Sequence, residues 1–137
     1  MQSSIVLSNP KDAYLKQRVL TASPIELVIM LYDALKKNVV LGQRAIGKED
    51  ASVAHKYLMK AQDIVVELMN SLDMNFEISG ELLELYEFIL SCLEEANMKK
   101  SGELLPHVAE IVDDLRGTWI EVAESQKRPV EILEQAR

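Results

Sequence analysis

Long apolar periodicities joined by very short links limit what this chain can fold into more than any other feature. Apolar residues recur every three or four positions over 24–46, 51–72, 79–96 and 102–124, with only "GKED", "DMNFEI" and "KKSG" between them. That spacing puts one apolar stripe on each of four helices, and no stretch sustains the period of two that a strand needs. A link this short forces each helix to lie beside its predecessor and run the other way. The expected fold class is therefore all-α, an antiparallel up-down four-helix bundle with helices roughly 30–35 Å long at about 1.5 Å per residue. A short N-terminal helical segment precedes it, with Ala13, Tyr14, Val19 and Leu20 set among Lys and Arg. The expected division is a mobile N-terminal segment over 1–20, the bundle over 21–125, and a C-terminal tail over 126–137. Pro129 followed by Val130, Ile132 and Leu133 makes that tail a short helix or a frayed end.

Local signals mark the helix ends. Ser23 is placed as an N-cap, Pro24 as the first helical residue, and Glu26 as the third, reaching back to the Ser23 amide. Ser79 is expected to cap the third helix, with Ile78 and Leu83 spaced as a staple around it. Pro106 is tolerated only in the first turn of the fourth. Gly42 and Gly47, in "GQRAIGK", read as a helix kink and a C-cap.

The first helix poses a question. Between Ile25 and Leu35 only Glu26 and Asp33 are charged, so the helix is apolar almost all the way round. A surface helix buries about a third of its circumference. Val53, Tyr57, Val66 and Met69 add to the second helix, and Leu85 and Phe88 to the third, beyond one stripe each. Such a surplus reads as a plump core, a dimer seam, or an interaction surface. Six methionines would suit a groove that adapts to a partner helix.

Composition narrows the function. The net charge of −7 argues against nucleic acid or an anionic membrane as partner. Residues 1–68 hold nine Lys/Arg against seven Asp/Glu, and residues 69–137 hold six against fifteen. No run approaches the length of a membrane span, and the first residues lack the basic and apolar regions of a signal peptide. One cysteine, Cys92, suits a reducing compartment, so the expected location is the cytoplasm.

No reactive constellation emerges, and neither catalysis nor a cofactor or metal site is expected. "GQRAIGK" has phosphate-loop spacing, but Glu49 stands where Ser or Thr should bind magnesium, and the stretch closes a helix. A di-iron bundle needs Glu three residues before His, whereas Ser52 precedes His55 and Leu104 precedes His107. Both histidines read as surface or boundary residues. Cys92 lies on a stripe with Leu85, Phe88, Ile89 and Ala96, beside Glu94 and Glu95, which suits a small core residue better than an activated thiol.

Five pieces in order resemble one family, the flagellar secretion chaperones that bind flagellin (FliS). They are Asn9-Pro10 with Ala13-Tyr14; "TASP" with "MLYD"; "KAQDIVVEL" with "SLD"; "LYEFI" with Ala96-Asn97; and "LRGTW". They span about residues 9–122. Lys11 stands where an aromatic is frequent, and Ala34 replaces a glycine common after "LYD". The resemblance implies a cytosolic bundle that holds the C-terminal segment of flagellin, keeping the subunit monomeric and fit for export. It also implies an N-terminal piece that covers a groove until the client arrives. Tyr14, Met30, Tyr32, Leu68, Leu72, Leu85 and Tyr86 are the expected partner-binding residues. Tyr32 and Tyr86 fit equally as core residues with hydroxyls near the surface. The flagellar export gate is a further expected partner. The alternatives are a homo-oligomeric bundle, with the surplus as a homodimer seam, or an adaptor for another export component.

Overall fold

The computed structural model describes the backbone of residues 24–135 and the side chains of residues 24–125. Within it lie four helices and no strand: α1 (Pro24–Gly47), α2 (Ala51–Asn70), α3 (Glu77–Lys99) and α4 (Leu105–Gln135). The all-α bundle expected from periodicity is the observed architecture. α1 packs along both α2 and α4, α2 packs along α3, and α3 and α4 touch over much less of their length. The core between them is almost wholly aliphatic, from Leu35, Val39, Leu58, Val65, Leu68, Ile89, Leu93, Leu105, Val108 and Val112. Tyr32 and Tyr86 are its large polar-tipped members.

This arrangement answers the question posed by α1. The helix has α2 on one flank, α4 on the other and α3 opposite, across the core. No apolar side chain from Ile25 to Leu35 is more than half-exposed in consequence. Gly42 marks its closest approach to α2. A Cβ there would stand 2.9 Å from Leu58 Cδ2 and 3.0 Å from Leu58 Cγ. Gly42 is therefore a packing glycine inside a continuous helix, not a kink.

Helix ends depart from the sequence expectation in three places. The left-handed residue after α1 is Glu49, at φ 58°, and no glycine has positive φ among the described residues, so Gly47 is the last helical residue rather than a left-handed cap. Asp50 then caps α2 by accepting from the Val53 amide. α3 begins at Glu77 with extended Phe76 as N-cap, one turn before Ser79 can act as one. Ser79 is buried, and its hydroxyl donates to the Asp73 carbonyl at 2.6 Å, tying the α2–α3 turn to the helix. Ser79 is the third residue of the helix rather than the residue before it, so it is not the cap. Pro106 falls in the first turn of α4, where it costs no hydrogen bond. The backbone of α4 continues helical beyond Glu124 to Gln135. Ser23 and the N-terminal segment lie outside the described residues.

Candidate partner-binding surface

The seven expected binding residues separate into distinct places. Tyr32, Leu68 and Tyr86 are fully buried members of the core. The two tyrosine hydroxyls lie 2.6 Å apart and satisfy each other across the bundle rather than reaching the surface. Burial, together with this hydrogen bond, pushes the Tyr32 phenol far above its usual range, and burial likewise raises Tyr86. In this conformation these three cannot touch a partner, because helical spacing turns them toward the other helices and not outward. Leu72 and Leu85 are half-buried and packed on the core from outside. Met30 is half-buried on α1. Tyr14 lies outside the described residues.

Sequence reasoning missed a group of strongly exposed apolar residues. Met74 and Phe76 of the α2–α3 turn and Ile78 at the start of α3 are 58 to 63% exposed. Three apolar residues in the six of "DMNFEI" are the available signal, which a reading of the stretch as a link alone overlooks. Met59 and Val66, seven apart on α2 and so on one side of it, are also exposed, with Met69 half-buried beside them. Together with Leu72 these carry exposed and half-buried apolar surface along the outer side of α2 toward the turn, with Gln62 and Asp63 between Met59 and Val66. A run of this kind, rich in methionine, can accept another helix with little specificity of shape.

The polar features hold the bundle. His55 and Asn97 join α2 to α3: the Asn97 amide nitrogen lies 3.1 Å from His55 Nδ1, while its oxygen accepts from Lys100. Asn97 is nearly buried, so these partners explain the asparagine in the Ala96-Asn97 piece. Cys92 is a core residue as expected, and burial pushes its thiol up, which disfavours the reactive thiolate. His107 is exposed, its ring edge-on to Phe88 at 6.1 Å between centroids. An open hollow of about 420 Å³ runs along the outer side of α1, lined by Asp33, Lys36, Lys37, Val40, Leu41 and Arg44. Among the described residues no group of three or more His, Cys, Asp or Glu is placed to hold a metal ion. No described helix is long and apolar enough to cross a membrane.

What fold and surface define is a helical bundle whose described residues carry more apolar surface than they pack against one another, the form of a protein that engages other chains. The sequence comparisons make the assignment specific. The model of the family described as flagellar protein FliS matches residues 7–126, and the chain belongs to that family. It is 33% identical over 124 residues to the flagellar secretion chaperone FliS of Bacillus subtilis (strain 168), covering 90% of this chain and 93% of that one. The protein of the same name from Vibrio cholerae is 27% identical over 114 residues, 82% of this chain and 84% of that one. A crystal structure of a flagellar chaperone from bacteria superposes with a TM-score of 0.72 at 16% identity, over 85% of this chain and 99% of that one. At that identity the structural likeness concerns the fold.

Proposed function

We propose that this chain is a cytoplasmic flagellar secretion chaperone that sequesters the C-terminal segment of flagellin, without catalysis or cofactor. Family membership supports the chaperone role, and the run from Met59 and Val66 to Leu72, Met74, Phe76 and Ile78 is the single observation that carries the binding mode. A disordered client segment gains helix as it lays an apolar stripe on this run, so ordering and burial occur together. Covering that stripe removes the surface by which one subunit would pack on the next. The subunit then stays single and unfolded enough for export, with the export gate as the chaperone's later partner. Met30 and Leu72 line the contact, while Tyr32, Leu68 and Tyr86 shape it from beneath. Residues 1–20, with Tyr14, serve as the cover displaced by the client.

Titration calorimetry of the full chain with a peptide of about forty residues from the flagellin C-terminus tests this, alongside light-scattering mass. One-to-one binding with a strongly negative heat-capacity change, lost in a Met74→Ser/Phe76→Ser variant, is the expected result. No heat together with a stable dimer would assign the same apolar run to a homodimer seam instead.

A further inference from the structure

The side of α3 away from this run has a different chemistry. Phe88 is 47% exposed and meets His107 of α4, which fixes these two residues at the α3–α4 seam. Helical spacing places Glu81, Glu84 and Leu85 on the same side of α3 as Phe88, at seven, four and three residues. By the same rule Glu110, Ile111 and Asp114 share the side of α4 that carries His107, and Leu104 stands in the turn just before that helix. Leu85, Leu104 and Ile111 are half-buried against the core, whereas Glu81, Glu84, Glu110 and Asp114 are exposed. None of these four carboxylates has an ion pair among the described residues. From residue 61 to 98 the chain holds nine carboxylates and no Lys, Arg or His. The seam is thus a trough with an apolar floor and a carboxylate rim on each side, along the one pair of neighbouring helices that pack least.

We infer that this trough is a docking site for a cationic amphipathic helix of a protein other than the flagellin client. The floor asks for one apolar stripe, and the two rims ask for Lys or Arg on both flanks of that stripe. Such a surface steers an oppositely charged partner in quickly and releases it as salt rises. It suits a transient contact made while the apolar run of α2 is occupied. A second copy of this chain is a poorer occupant. Among the described residues its cationic side is the outer side of α1, and joining unlike faces in sequence builds open-ended filaments rather than closed pairs.

The probe is a synthetic Leu/Lys amphipathic helix of about 18 residues, long enough to span the trough, titrated into the full chain by calorimetry. Saturable one-to-one binding is expected, weakened about tenfold by Phe88→Gln and likewise by Glu84→Gln/Glu110→Gln. Asp63→Asn/Glu67→Gln on α2 removes the same charge elsewhere and should leave affinity within about twofold. Far-UV circular dichroism checks that each variant keeps the bundle. Equal weakening by both charge-neutralised pairs would reduce the effect to overall charge and overturn the assignment, as would failure to saturate. Displacement of the probe by the flagellin peptide would make the trough part of the client site, overturning this inference while leaving the proposed function standing. A change in the mass of the chain alone on mutating Phe88 would overturn it too, by assigning the trough to self-association.

Discussion

The two edges of α4 are treated in opposite ways. Toward α1, Asp113 meets Lys36 at 2.7 Å and Arg116 meets Asp33, one turn apart on each helix, so opposite charges close that seam. Toward α3, Glu110 and Asp114 share a seam with Glu81 and Glu84, and the Phe88–His107 contact lies at one end of these carboxylates. The contrast teaches that surface charge here does less to stabilise the bundle than to decide which groove shuts. Exposed ion pairs contribute at most about 1 kcal/mol each. Apolar burial holds both edges, and the sign of the charges selects between a sealed contact and an open trough.

The largest expected effect compares two leucines on α3. Leu93 is fully buried in the core, so Leu93→Ala should cost about 3 kcal/mol of unfolding free energy by denaturant titration. Leu85, beside the trough, should cost about 1 kcal/mol on the same change because a partly open site leaves a smaller cavity. Equal losses would mean that the trough is closed in solution.

The tyrosine pair gives the next effect. Tyr86→Phe strands the Tyr32 hydroxyl in the core and should cost about 1–2 kcal/mol, while the double Phe variant should cost less than the sum of the singles. Both phenols are raised in the folded state. The unfolded chain therefore loses these protons first, near pH 10, and the stability they contribute is present below that pH. It declines as pH rises further, by up to about 1.4 kcal/mol per unit for each phenol. Denaturant midpoints measured from pH 9 to 11 should fall in the native chain and flatten in the double variant.

Glycines sharpen the comparison between packed and open surfaces. Gly42→Ala drives a methyl into Leu58, which is fully buried and cannot swing away, so the gain in helix propensity should be outweighed by about 1 kcal/mol. A Cβ added at Gly117 of α4 would meet nothing within 4 Å, and Gly117→Ala should stabilise by up to about 1 kcal/mol. Thermal melts of the two should move in opposite directions. The smallest effect belongs to the charges: Arg116→Ala should cost under about 1 kcal/mol and lose that cost in high salt.

Much of the fold was legible because period and link length depend on local chemistry alone. The helix ends were less so. Ser79 has the residue type and spacing of a cap, yet the Asp73 carbonyl claims its hydroxyl only once the turn has folded back. Gly47 looks like the residue for a left-handed position, which Glu49 takes because the two-residue passage to Asp50 places the reversal there. For binding residues the sequence was weakest. An exposed and a buried apolar side chain on one helix differ by a rotation, and which rotation faces a neighbour is not written in either residue.

By itself the sequence determined that four helices form, that they alternate in direction, and that more apolar surface exists than one stripe each requires. Its order of short pieces also placed the chain in its family. Only the tertiary structure decided that α1 spends its surplus on three neighbours, that Tyr32 and Tyr86 meet across the core, and that much of the exposed apolar surface lies on α2 and the following turn. The reason is geometric. Periodicity is set by bonds within about four residues, whereas burial depends on which helix arrives on each side, and that is settled only when all four pack together.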